Sequence, residues 1–320
     1  MAVYTDVAFE DLERLLADYA IGEPKSFKGI AEGVENSNFL LQTTTGDYIL
    51  TLYEKRVSVA DLPFFLGLLD HLAVRGVACP LPVHNKAGAR WTELNGRPAA
   101  LLTYLDGLSL RRPEARHCAA MGTALADLHE AGRDFGIVRP NALSLAGWHP
   151  LAKSVVDEAD GVQKGLRALI ETSLKSFDAD WPKDLPSGVI HADLFPDNVL
   201  FLRDSVSGLI DFYFACNDAY AYDLAVCLNA WCFENDGNSY NVTKGKSLIA
   251  AYNARRPLTQ AELDALPALA RGAALRFLLT RLYDWLRRDP NALVRPKDPL
   301  DYSKRLRFHL SVKSASGYGL

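Results

Sequence analysis

The run Val189-Ile190-His191-Ala192-Asp193-Leu194-Phe195-Pro196-Asp197-Asn198-Val199-Leu200-Phe201 places an acidic and an amide side chain five residues apart, in a polar loop between two apolar strands. Asp211 follows the next apolar stretch, Gly208-Leu209-Ile210, just before Phe212. A hairpin of the two strands is expected to bring Asn198 and Asp211 near each other, with Asp193 projecting from the loop ahead of them. Such oxygen donors suit a hard, octahedral cation such as Mg²⁺, which keeps positions for water and substrate phosphates. The chemistry implied is phosphoryl transfer. On residue types alone an Asp-Asn loop is ordinary turn chemistry, in which each side chain bonds its own backbone. The strand-loop-strand order around it, and the Ile-Asp-Phe that follows, favour a site. His191 reads as a buried brace of the loop. Asp223, just before Leu224-Ala225, reads as a helix cap and loop brace rather than a ligand.

These groups need elements to hold them, and the pattern divides near Leu105. Before that point, Leu12, Leu15, Leu16 and Tyr19 share one helical face, and residues 25–53 alternate short apolar runs with turns, as three antiparallel strands do. Ser58 and Asp61 resemble a capping box ahead of a helix from Leu62 to Val74, and residues 81–105 return to strands. After Asp106-Gly107, Met121, Leu125 and Leu128 have the spacing of a core-facing helix. Amphipathic stretches recur near 154–177, 222–233, 245–254 and 260–288, interrupted by the strand-rich patch from Val189 to Phe214. PNALVRPKDPLDY, near 290–302, reads as a proline-rich surface connection. The expected architecture is therefore α+β and two-lobed: residues 1–105 form a small antiparallel sheet with an inserted helix, and 106–320 a larger, mainly helical lobe.

Composition narrows the partners. With 35 Lys and Arg against 39 Asp and Glu among 320 residues, the formal charge is −4. No basic field is available to condense on nucleic acid or an anionic membrane. No apolar run approaches the ~20 residues that span a bilayer, and the acidic N-terminus lacks the order of a signal peptide. A soluble cytoplasmic chain is expected. The five cysteines contain no C-x-x-C pair, and the seven histidines show no paired spacing. Reduced, buried thiols are expected rather than disulfides or a transition-metal centre.

His-x-Asp, Asn five residues on, and Ile-Asp-Phe after a short hairpin resemble the catalytic core of the protein-kinase-like small-molecule phosphotransferases, the family of aminoglycoside phosphotransferases and choline kinases. The resemblance implies the matching fold, ATP as co-substrate, Mg²⁺, and an active site between the lobes. In such enzymes Asp193 would orient the acceptor hydroxyl, while Asn198 and Asp211 would ligate the metal ions on the nucleotide phosphates. The family's phosphate-covering loop maps onto residues 29–38, with Gly29 and Gly33 admitting close backbone approach and Asn36 and Ser37 as further donors. Adenine would meet the main chain around Leu102 and Tyr104. Where the family generally carries a third-strand cation, this chain has Thr51; Lys55 has the same parity but lies farther along the strand. The helix from Ser58 to Val74 has no Glu to pair with such a cation, so both halves of that ion pair are missing together.

Thr51, LPFFLGLLDHLAVRGVACPLPV, HADLFPDNVLF and AVCLNAWCFE resemble the homoserine kinase branch more than the antibiotic-modifying branches. The implied acceptor is L-homoserine, phosphorylated on its side-chain hydroxyl in a step toward threonine. Choline, methylthioribose or an aminoglycoside remain as other acceptors, and a nucleotide-binding pseudokinase as the non-enzymatic alternative. A zwitterionic acceptor needs partners for both charges. Arg276 or Arg281 are the candidates for its carboxylate, Glu234 or Asp218 for its ammonium, with Tyr213 or Trp231 as a wall. No sequence feature specifies an oligomeric state.

Overall fold

The computed structural model describes residues 5–30, 36–54, 57–234, 239–288 and 296–320. These form two compact units, residues 1–107 with 207–213, and residues 108–206 with 214–320.

The first unit opens with α1 (Phe9–Leu16), then β1 (Pro24–Gly29), β2 (Ser37–Thr43) and β3 (Asp47–Leu52). A 3₁₀ turn at Val59–Asp61 leads into α2 (Leu62–Val74), and β4 (Thr92–Leu94) and β5 (Arg97–Thr103) complete a sheet in the order β1-β2-β3-β5-β4. Alternation along β2 turns Phe39 and Leu41 inward, into one buried cluster with Leu12, Leu15 and Leu16 of α1. At Ser58 the hydroxyl accepts from the Ala60 amide, capping the 3₁₀ turn that leads into α2.

The second unit begins with the short β6 (Leu108–Ser109) and contains α3 (Ala115–Ala131), α4 (Leu145–Lys153), α5 (Val156–Val162), α6 (Leu166–Asp180), β7 (Ser187–Ile190) and β8 (Val199–Leu202). After β9 (Ser205–Leu209), which runs out of this unit, come β10 (Cys216–Ala219), α7 (Tyr220–Trp231), α8 (Val242–Arg255), α9 (Gln260–Leu286) and α10 (Leu300–Ser311). β7 pairs antiparallel with β10, and β6 with β8, so the segment between β7 and β8 is tied at both ends to strands from elsewhere in the chain. Gly122 sits where α3 crosses α8. Any Cβ there would collide with the main-chain carbonyl of Leu248, which is why the smallest residue occupies that turn.

Two expectations need correcting here. The stretch 154–177 is two helices, broken at Gly165, whose φ of 83° is left-handed. α4 and α10 were not anticipated. In α10 the buried Tyr302, Leu306 and His309 have the 4- and 3-residue spacing of a core stripe, masked in sequence by the cations interleaved with them. Residues 289–295 of the proline-rich connection lie outside the described residues. All five cysteines are buried and free.

His309 anchors α10 inside the helical core, with Nδ1 paired to the Tyr318 hydroxyl at 2.9 Å and Nε2 to Asn229 Oδ1 at 3.1 Å. Burial, reinforced by Arg305 and Arg271, pushes its pKa from 6.5 down to about 3. The unfolded chain therefore binds a proton near pH 6.5 that the native state refuses until about pH 3, so stability falls as pH drops through that window. In urea unfolding followed from pH 7 to pH 4, His309→Gln is expected to flatten the pH dependence by one proton. An unchanged slope would show that His309 is protonated in the native state.

Candidate active site

The loop after β7 is built around one residue gripped from both sides. Ala192 has φ 64°, a left-handed conformation costing an L-residue with a Cβ roughly 1–2 kcal/mol. Its amide donates to Asp223 Oδ1 at 2.8 Å, and the preceding His191 amide donates to Asp223 Oδ2 at 2.8 Å. From the other side, Arg276 of α9 donates through Nη1 to the Ala192 carbonyl. A carboxylate and a guanidinium thus hold the left-handed residue that precedes Asp193.

Behind Asp223 lies a buried polar chain. His129 of α3 meets Asp223 Oδ2 at 3.1 Å and the Tyr252 hydroxyl at 2.7 Å. Arg256 donates to that hydroxyl at 3.2 Å and to Glu262 at 2.9 Å, and Glu262 closes the capping box of α9 by accepting from the Thr259 amide. Burial alone would raise the Asp223 pKa, but the hydrogen bond and charge of His129, with the His191 amide, outweigh it and hold the carboxyl below its usual range. Burial likewise lowers the His129 pKa, against the pull of Asp223. At neutral pH the pair is a carboxylate and a neutral imidazole. Asp223 is thus the loop brace but not a helix cap, since Ala219 occupies the N-cap position of α7.

Past Ala192 the loop is held by its own side chains. The Asp193 amide lies 3.3 Å from His191 Nδ1, and His191 is fully buried. Asn198 donates through Nδ2 to the Asp193 carbonyl at 2.8 Å and to Asp193 Oδ2 at 3.2 Å. With the amide nitrogen committed to Asp193, the Asn198 Oδ1 is the oxygen left to serve a metal ion. An amide oxygen such as this one and a carboxylate such as that of Asp211 are each donor types that Mg²⁺ prefers. Asp211 itself, in the 207–213 segment of the first unit, is exposed and has φ 66°.

Several expected acceptor residues make contacts within the helical unit. Arg276 is 1% exposed, stacks over Phe277 and Phe214 and donates to the Ala192 carbonyl, while its Nε is buried without a hydrogen-bond partner. Trp231, also buried, donates its indole N–H to the Leu194 carbonyl at 2.7 Å. Arg281 packs over Tyr302 and donates to the Asp298 carbonyl; burial lowers its pKa. Asp218 accepts from Asn141 at 2.7 Å, and Glu234 from Asn241 at 2.7 Å and from Lys244.

In the first unit, Gly29 ends β1 opposite Phe39. Gly33 and Lys55 lie outside the described residues. Asn36 and Ser37 are buried rather than presented to a ligand: the Ser37 hydroxyl donates to Glu54 at 2.7 Å, and the Asn36 Oδ1 accepts from the Glu54 amide at 3.3 Å. Arg97 lies 3.2 Å from the same Glu54 carboxylate. Thr51, paired with Asn38 across β2 and β3, donates to its Oδ1 at 2.8 Å, a neutral contact at the position of the absent cation. Leu102 is buried opposite Ile49, and Tyr104 is 43% exposed with its amide donating to the Asp47 carbonyl. Tyr213 packs edge-on against Tyr53 and Phe65.

The sheet unit, the helical unit and the braced His-x-Asp loop define a protein-kinase-like small-molecule phosphotransferase. A family model described as the phosphotransferase enzyme family matches residues 26–258, and the chain belongs to that family. Among curated relatives, a homoserine kinase from Xanthobacter autotrophicus is 63% identical over 320 residues, covering 100% of this chain and 99% of its own. One from Rhizobium meliloti is 60% identical over 320 residues, covering 100% and 98%. Among solved structures, amicoumacin kinase in complex with AMP-PNP and Ca²⁺ aligns with a TM-score of 0.69 at 14% identity, covering 95% of this chain and 92% of its own. A spectinomycin phosphotransferase bound to ADP and spectinomycin aligns at 0.69 and 15%, covering 98% of each. At such identity the likeness is one of fold. No helix among the described residues is long and apolar enough to cross a membrane.

Proposed function

We infer that this chain transfers the γ-phosphoryl group of ATP to the side-chain hydroxyl of L-homoserine, giving O-phospho-L-homoserine and ADP on the way to threonine. The observation that carries the reading is the braced Asp193-Asn198 loop in a chain about 60% identical, end to end, to homoserine kinases. In this reading Asp193 accepts a hydrogen bond from the acceptor hydroxyl and takes up its proton as the new O–P bond forms and the bond from Pγ to the bridging oxygen of ADP breaks. Asp193 then returns the proton to solvent. Asn198 and Asp211 supply oxygens to the magnesium ion, which when bound neutralises phosphate charge. The protein's own contribution is orientation: Asp223 and Arg276 fix the backbone from which Asp193 projects, so little reorganisation is left for the reaction.

Around the nucleotide, Gly29 and Gly33 with the main chain near Leu102 and Tyr104 are the proposed contacts, with Thr51 in place of the cation. Asn36 and Ser37 act through Glu54, shaping the loop rather than donating to phosphate. Its small-molecule partners are homoserine and ATP; buried free thiols are in keeping with work in the cytoplasm. Purified protein with Mg²⁺ and ATP, offered homoserine, choline, methylthioribose and an aminoglycoside, should release ADP with homoserine far faster than with the others. Equal or greater turnover of another acceptor would overturn the assignment, and no turnover with any would favour a pseudokinase.

A further inference from the structure

The helical unit contains a cavity of about 240 Å³ whose lining brings together Arg111 and Arg112 from the β6–α3 connection, Lys244 of α8 and Arg305 of α10, facing Glu234 and Asp301. It borders the catalytic loop directly. Pro196 forms part of the wall, and Trp231, which holds the Leu194 carbonyl, forms another part. Four cations face two carboxylates, and both carboxylates are already engaged: Glu234 with Lys244 at 3.1 Å and Asp301 with Arg281 at 3.7 Å. Among the described residues, Arg111, Arg112 and Arg305 form no ion pair with any of them. Arg305 donates through Nη1 to the Asn229 carbonyl and lies over the Tyr302 and Phe233 rings, yet its Nε is buried with no hydrogen-bond partner. A buried guanidinium N–H without an acceptor is destabilising, and an anion that reached it would relieve it.

We propose that this cavity receives the α-carboxylate of the amino-acid acceptor, with Arg305 as its central anchor and Arg111 and Arg112 at the exposed mouth. The inference rests on the homoserine reading and deepens it by naming the groups that choose the acceptor. Glu234 and Asp301 remain on the opposite side of the charge balance, able to face the ammonium. The surplus of positive charge has a second consequence. A cationic acceptor such as choline or an aminoglycoside carries no carboxylate to offset it and is repelled, so the same three guanidiniums that attract an amino acid exclude the other acceptors of related enzymes.

The test pairs Arg305→Gln with two substrates, L-homoserine and 3-amino-1-propanol, which is homoserine without its carboxylate. The variant is expected to raise KM for homoserine by about 10- to 100-fold, the range for losing a charge-assisted hydrogen bond, with KM for ATP within about twofold. Toward 3-amino-1-propanol, a cation expected to be a poor substrate of the unmodified enzyme, kcat/KM should not fall, because no carboxylate contact is lost and one repelling charge is removed. Equal losses on both substrates would mean that Arg305 only supports the fold, and an unchanged KM for homoserine would remove the carboxylate from this cavity; either overturns the proposal. Because Arg305 also holds Asn229, the exposed double variant Arg111→Gln, Arg112→Gln provides a second arm that leaves the helix contacts alone. It should raise KM for homoserine by about 3- to 10-fold, again with no loss of kcat/KM toward 3-amino-1-propanol. Should the unmodified enzyme fail to phosphorylate homoserine, the functional reading falls with this one; should it succeed while both variants keep its KM, only the cavity assignment falls.

Discussion

Asp193→Asn is expected to leave a folded protein that binds ATP normally and turns over about 10²- to 10⁴-fold more slowly, the range associated with removing a positioned proton acceptor. The substitution preserves shape, and an amide oxygen at this position still accepts from Asn198 Nδ2, which lies 3.2 Å from Asp193 Oδ2 in the native chain. What it removes is the basic oxygen that draws the acceptor hydroxyl into line. The decisive measurement is kcat for homoserine beside the Kd for ATP and the urea midpoint. A kcat within about threefold of the native enzyme, with folding intact, would take Asp193 out of the reaction. A loss of stability matching the loss of activity would make the residue a scaffold member instead.

Asp223→Asn should act by a different route, through the loop rather than through chemistry. The carboxylate accepts on both oxygens, from the amides of His191 and Ala192, and on Oδ2 from His129 as well. An amide can turn an oxygen toward only one of those backbone N–H groups, leaving the other against an NH₂ in a fully buried site. Breaking a buried charged network from one side typically costs about 3–5 kcal/mol, so the variant is expected to unfold at distinctly lower urea and to lose kcat in the molecules that remain folded. His129→Gln provides the comparison. It disturbs the support behind Asp223 but leaves both backbone bonds available, and should cost less on both measures. Native-like stability in Asp223→Asn would show that the loop conformation is self-supporting.

The contrast between these two residues bears on how far function can be read along a chain. Asp193, Asn198 and the strands around them lie within residues 187–202, and the hydrogen bonds that orient Asn198 are local. Periodicity, turn residues and spacing therefore sufficed to find the loop. Ser37 and Asn36 were legible as polar donors after the first strand, but not as partners of Glu54, because that contact depends on the pairing of β2 with β3. Arg276 shows the same limit more sharply. A helix sequence displays its charge but not which way it faces, and its bond to Ala192 spans 84 residues.

By itself the order of residues determined the two kinds of texture, the phosphoryl-transfer loop and the buried, free state of the thiols, since these follow from local pattern and composition. Tertiary structure alone decided that His129, Tyr252 and Arg276 serve Asp193 from helices far away in the chain, and that Arg111, Lys244 and Arg305 converge on one cavity. The physical reason is that burial and long-range hydrogen bonding are properties of packed helices. An arginine reads identically in sequence whether it ends in water, under a loop carbonyl or in a pocket, and only the packing chooses among those environments.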